Sequence, residues 1–100
     1  MPCVIVQSMV KSFKCKYTEA LSRGTNVKKF NNIAKIARRK LRQLEISNLL
    51  DDLRVPPGNH LEALKGDRTG QYSIRINDQW RVCFNWTDAG AENVEIVDYH

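Results

Sequence analysis

The chain has 100 residues, 42% of them hydrophobic, with three scattered cysteines and a net charge of +5. That length suits one domain able to bury roughly two-thirds of its unfolded surface, and the composition excludes a disordered chain. No apolar run nears the ~20 residues of a membrane span, and Cys3–Val6 is too short for a secretory leader, so a cytoplasmic protein with no membrane contact is expected.

In chain order, the segment from Met9 to Phe13 reads as a short opening strand. Residues 1–8 before it read as an extension of a single domain or an upstream-start artefact. From Val27 to Leu44 apolar residues recur at three and four (Phe30, Ile33, Ala34, Ala37, Leu41, Leu44), which predicts a helix with Thr25 or Asn26 as N-cap. Its other face carries Lys35, Arg38, Arg39 and Arg42 with no acid between them. An ordinary solvated helix mixes signs to gain i,i+4 pairs, so the stripe is either a contact surface for a polyanion or plain solvated charge. The wider pattern agrees: residues 1–44 sum to +10 and residues 45–100 to −5.

A short helix is expected at Ser47–Leu53, then a break at Pro56-Pro57-Gly58. Beyond it the period changes to two, and strands are expected at Leu61–Leu64, Tyr72–Ile76, Trp80–Trp86 and Val94–Tyr99. Helices first and an antiparallel sheet after predict an α+β domain with N-terminal helices packed on one sheet face.

The stretch "YSIRINDQWRVCFNW" sets a register. A two-residue loop would pair Ile74 with Arg81 and mix the two faces. The three-residue loop Asn77-Asp78-Gln79 pairs Ile74 with Val82 and Tyr72 with Phe84, keeping the apolar set together. Arg75 then faces Arg81 on the non-core side, a like-charge pair that costs something near ~0.2–1 kcal/mol. Two readings are open: a phosphate clamp, or an ion-pair ladder with Glu62 or Glu95.

Other strand ends bring polar groups to that sheet. Lys65 follows the first strand, and the last runs into Asp98, Tyr99 and His100. Histidine serves naturally as a general acid or base. Paired guanidiniums beside an imidazole and a phenol suit RNA cleavage by attack of the 2′-hydroxyl, with no metal or cofactor needed. The histidines, acids and thiols show no metal-ligand spacing, and Cys3, Cys15 and Cys83 read as reduced thiols.

These same residues carry a resemblance. Leu64-Lys65-Gly66-Asp67-Arg68, the run Ser73 to Arg81, and the closing Asp98-Tyr99-His100 resemble the HigB toxins of the RelE/ParE toxin–antitoxin superfamily, over about residues 9–100. The resemblance implies the microbial-RNase-like toxin fold and a ribosome-dependent endoribonuclease that cuts mRNA in the 30S A site. It implies a helix-turn-helix HigA-like antitoxin as partner, with operator DNA reached only through it. Lys65, Arg81, Asp98, Tyr99 and His100 match the family's catalytic or RNA-contacting positions; Arg75 joins Arg81 on the phosphate. Lys35, Arg38, Arg39, Arg42 and Arg68 are expected to touch RNA or the ribosome. Two departures stand out: Glu62 replaces a family histidine three residues before the motif lysine, and Asn77 falls where a second family arginine stands. Glu62 is thus an alternative base to His100, with His60 nearby on the same strand alternation. Rival readings are a ParE-like gyrase-binding toxin and a ribosome- or RNA-binding module without cleavage.

Overall fold

In a computed structural model, which describes residues 10–98, two helices pack on a four-stranded antiparallel sheet of order β1-β2-β3-β4. The strands are β1 (Glu62–Ala63), β2 (Gln71–Arg75), β3 (Trp80–Thr87) and β4 (Gly90–Asp98). The helices are α1 (Lys16–Ser22) and α2 (Ala34–Ile46). The α+β class expected from the sequence is the observed one.

The β2–β3 register follows the three-residue loop: Ile74 pairs with Val82, Tyr72 with Phe84 and Arg75 with Arg81. Asn77 closes that loop, its Oδ1 accepting from the amides of Gln79 and Trp80, both at 2.8 Å. Ile74, Ile76, Val82, Phe84, Val94 and Ile96 form the buried sheet face. Against it lie Ala37, Leu41 and Leu44 of α2 and Leu21 of α1, all buried. Phe30 meets Trp80 edge-on with centroids 5.6 Å apart.

β1 is shorter than the expected Leu61–Leu64, β4 starts at Gly90 rather than Val94, and three further elements differ in kind from the sequence reading. The helix expected from Val27 starts later. Lys28–Phe30 is a 3-10 turn, and α2 begins at Ala34 with Ile33 rather than Thr25 or Asn26 as N-cap. Val27, Phe30 and Ile33 recur at three, the 3-10 period, and Asn31-Asn32 favours a break. The helix expected at Ser47–Leu53 is a 3-10 turn over Leu50–Arg54. Ser47 returns its hydroxyl to the Gln43 carbonyl at 2.6 Å, and the Asp52 carboxylate accepts from the amides of Asn48 and Leu49, so the chain turns before it can wind. The expected opening strand is reduced to two parallel bridges, Val10–Ala91 and Phe13–Val94, with Met9 outside the described residues. Between those bridges β4 bulges, with Asn93 at φ 54, which interrupts any continuous pairing.

α1 has no counterpart in the sequence reading. It ends in a Schellman motif: Thr25 N–H reaches the Ala20 carbonyl at 3.0 Å, Gly24 N–H the Leu21 carbonyl at 3.1 Å, and Gly24 sits at φ 93. Arg38 adds to the cap, donating to the Leu21 and Thr25 carbonyls at 3.1 and 3.0 Å. Thr18 fixes α1 to the sheet by accepting from the Ile96 amide at 3.0 Å.

Asn59 joins α2 to the loop that leads into β1. Fully buried, its Nδ2 donates to Gln43 Oε1 at 2.9 Å and the Leu53 carbonyl at 3.0 Å, while its Oδ1 accepts from Lys40 Nζ. Burial, with the Arg39 charge adding, holds the Lys40 ammonium below the usual lysine range. Replacing Asn59 by Ala leaves these groups without their partner. It should cost about 1–3 kcal/mol, read as a lower urea midpoint at an unchanged m-value.

Candidate RNA-cleavage site

Arg75 and Arg81 stand side by side on the sheet face that α2 does not cover. Their strands put them there: with Ile74, Ile76 and Val82 in the core, alternation sends residues 75 and 81 to the opposite face. Around them lies an open cleft of about 360 Å³ lined by His60, Glu62, Arg75, Asn77, Asp78 and Arg81.

Arg81 is the more firmly held of the two. Its Nε donates to Ser73 Oγ at 2.8 Å, its Nη2 to the His60 carbonyl at 2.7 Å, and Glu62 lies 3.7 Å away. Only 13% of its side chain is exposed. Arg75 is 36% exposed and pairs with Asp78, which stands almost wholly in solvent on the hairpin loop. Each guanidinium therefore has a carboxylate at hand, and the like-charge cost of facing arginines is offset within the protein. Glu62 takes the neutralising role that the ion-pair reading gives it. Glu95 does not: it pairs with Arg68 at 3.0 Å and Lys14 at 3.8 Å instead. Both Asp78 and Glu62 are exposed enough to swing away, so an incoming phosphate can take their place.

The other expected residues are spread more widely. Lys65 is exposed at the start of the Gly66–Arg68 turn and does not line this cleft. Asp98 pairs with Trp80 at the same end of the sheet and accepts from Gln79 Nε2 at 3.2 Å. Tyr99 and His100 lie outside the described residues. Lys35, Arg39 and Arg42 are exposed on the outer side of α2, across the core from the arginine pair. Arg38 is half-buried and engaged with the end of α1, so it differs in kind from its three neighbours.

Four cleft residues, His60, Glu62, Asn77 and Asp78, join Arg75 and Arg81; in the sequence reading Glu62 is an ion-pair partner and alternative base, His60 and Asn77 enter only through departures from the family pattern, and Asp78 has no role. Glu62 arrives because β1 pairs with β2, setting Glu62 opposite Ser73. His60 follows the Pro57–Asn59 turn at φ 45, which points its carbonyl at Arg81. A signal for Asp78 is present in the hairpin, since a tight loop brings residues i and i+3 together.

The model of the HigB family, described as a RelE-like toxin of a type II toxin–antitoxin system, matches residues 11–100. This chain belongs to the HigB-like toxin family. It is 47% identical over 55 residues to toxin HigB-1 of Vibrio cholerae serotype O1, covering 55% of this chain and 58% of that protein. It is 38% identical over 64 residues to an uncharacterized protein of Haemophilus influenzae, covering 64% and 63%. With the endoribonuclease HigB of Proteus vulgaris it shares 40% over 40 residues, 40% of this chain and 44% of that one. The chain thus spans about half the length of these curated relatives.

Behind the arginines, Cys83 is fully buried. Burial pushes its thiol up, outweighing the Arg68 and Arg81 charges. Cys15, at the N-cap of α1, is different. Partial burial would raise it, but hydrogen bonds from the Thr18 amide and hydroxyl and the Tyr17 amide, with the Lys29 charge, bring it below the usual range. Because the thiolate is the reactive form, iodoacetamide at neutral pH should modify Cys15 well before Cys83, as peptide mapping by mass spectrometry would record. Equal labelling would mean that the arginine-bearing face is more open than described.

Proposed function

We propose that this HigB-like toxin is an endoribonuclease that cuts mRNA in the ribosomal A site without a metal ion, by in-line attack of the 2′-hydroxyl. One observation carries this reading: two guanidiniums held side by side, Arg81 rigidly and Arg75 more loosely, on the wall of an open cleft that also holds a carboxylate and an imidazole. The name of the Proteus vulgaris relative supports it.

In this mechanism the scissile phosphate displaces Asp78 and Glu62 and settles between Arg75 and Arg81. The arginines offset the charge that gathers on the phosphorane oxygens, and because Arg81 is held in place beforehand, it needs no reorganisation as charge develops. Glu62 leaves its ion pair and is the base within reach of the 2′-hydroxyl. His100, carried over from the family pattern, is the acid that protonates the departing 5′-oxygen, with Tyr99 beside it in the chain. The exchange of roles, His100 as base, belongs to the same scheme and needs the same clamp. Asp98 acts through its hydrogen bond to Gln79, bracing the hairpin loop that carries Asp78. Lys65 and Arg68 bear on neighbouring RNA.

The ribosome enters through the other side of the molecule. Lys35, Arg39 and Arg42 face away from the cleft, so the chain can rest on ribosomal RNA with α2 while its sheet face meets the message. The partner that restrains the toxin is a HigA-like antitoxin, and the cell interior is the compartment in which both act.

Primer extension on programmed ribosomes tests the reading. The native chain, free of antitoxin, should leave a discrete cut, and Arg81→Ala should slow it about 10²–10³-fold. Deleting His100 should slow cleavage while the thermal melt stays cooperative. An uncut message with native protein would sink the nuclease and favour a gyrase-binding or purely RNA-binding toxin. Reversing charge at Lys35, Arg39 and Arg42 together should weaken ribosome association and flatten its dependence on log salt by about 0.7 for each phosphate no longer neutralised. A slope that does not change returns those three residues to ordinary solvated surface.

A further inference from the structure

Tyr17, in the first turn of α1, is 45% exposed, the one exposed aromatic ring among the described residues. Two ammonium groups stand at it: Lys16 Nζ and Lys29 Nζ, each 5.3 Å from the ring centroid. Neither has a carboxylate at salt-bridge distance among the described residues. The single acid of residues 1–44, Glu19, is taken by Arg23 at 2.8 Å. Elsewhere Arg54, Arg68, Arg75 and Arg81 all lean on carboxylates. Here two like charges lean on one ring instead.

The fold holds this group near the arginine pair. Thr18, next in the chain, binds the Ile96 amide at the β4 edge, and Val97, the residue after Ile96, lies opposite Arg81. That path sets Tyr17 within roughly 20 Å of Arg81, at ~3.8 Å for each residue step and ~5 Å for each strand. Lys29 is steadied by its neighbour: Phe30 is fully buried and meets Trp80 edge-on, and the Lys29 ammonium lies 5.2 Å from the Phe30 centroid as well. Lys16 touches the Tyr17 ring alone and is the freer of the two. Lys28, exposed in the same 3-10 turn, adds a third positive charge nearby.

We infer that Tyr17, with Lys16 and Lys29, is a stacking platform for an unpaired base of the message, in the RNA strand that flanks the scissile linkage. The inference rests on the proposed RNA cleavage for its ligand, and it adds a second point of attachment to the arginine clamp. An aromatic face beside uncompensated cations suits a single strand, which offers a flat base and a phosphate in every nucleotide. A base that settles on the ring displaces an ammonium, and a stacked base gains more than an exposed cation over the same ring. Lys16, the less tethered, is the one displaced, and its charge passes to the phosphate that arrives with the base. Every base has a π-face, so the platform holds RNA without reading its sequence.

Binding of a short 2′-O-methyl RNA, which lacks the attacking hydroxyl and cannot be cut, tests the platform apart from cleavage. The native chain should bind it more tightly than an abasic oligomer with the same number of phosphates. Tyr17→Ala should weaken binding of the base-bearing oligomer about five- to 150-fold, the range of one base stacked on an aromatic ring, and leave the abasic one unchanged. Tyr17→Phe, which keeps the ring, should bind as the native chain does, and both variants should melt at the native temperature. Replacing Lys16 and Lys29 together by Ala should flatten the dependence on log salt by about 0.7 for each phosphate lost. No binding of the base-bearing oligomer, equal affinity in Tyr17→Ala, or an equal loss with the abasic oligomer overturns the inference. So does a loss confined to capture of the antitoxin, which would assign the ring to a protein partner. On programmed ribosomes, a message with 4-thiouridine beside the cut should cross-link to the peptide that contains Tyr17; no cross-link from any flanking position overturns the assignment to the message. Ring-dependent binding and cross-linking with an uncut message would keep the platform and remove the nuclease.

Discussion

Putting Ile74 and Val82 together in the core forces Arg75 to stand opposite Arg81. The side-chain period of a strand is two, so one choice of loop length decides the whole of the opposite face. Ser73 and Cys83 come to lie beneath, Glu62 and Glu95 to either side, and the two guanidiniums at one end. The geometry of the site depends throughout on this register. Burial of the apolar set stabilises it, and two like charges on the polar face oppose it.

That opposition is relieved locally by the protein itself. Asp78 and Glu62 neutralise the pair from exposed positions, while Ser73 and the His60 carbonyl grip Arg81 with bonds that no ligand needs to break. Orientation and charge balance are thereby assigned to different groups. The neutral partners fix where the guanidinium points; the anionic partners are replaceable. Such a division is what an anion-binding clamp requires, since affinity is then the difference between a phosphate and a flexible carboxylate rather than the gross strength of the contact.

The hairpin and the core face are legible in the chain because both strands alternate strictly and share a short loop. The two sheet-facing rows and the helix through Ala37, Leu41 and Leu44 follow from the same kind of period. α1 is not legible: seven residues, a cysteine in place of Ser, Thr, Asp or Asn at the N-cap, and few apolar positions give no start signal. Its stop signal, Gly24, is there, but a stop without a start predicts nothing. The late start of α2 is hidden by the spacing of Val27, Phe30 and Ile33, which fits a 3-10 turn as well as a helix. Long-range bonds are the least readable. The bond from Arg68 to Glu95 spans 27 positions, and that from Arg81 to His60 spans 21; neither leaves a periodic trace. Arg68 reads in the sequence as an RNA contact; that its guanidinium also reaches Gln71 and Glu95 could not be read there.

The edges of the sheet have a consequence for how another protein can hold this one. Along β4, the segment from Val10 to Lys14 occupies main-chain groups of Ala91 and Val94. At the opposite margin β1 is two residues long and is soon followed by a 3-10 turn. Little continuous backbone is left among the described residues for a visiting chain to extend, so recognition by strand addition is disfavoured at either margin. A protein that holds this face by side chains rather than by open backbone would draw its selectivity from surface residues, whose exchange leaves the core untouched.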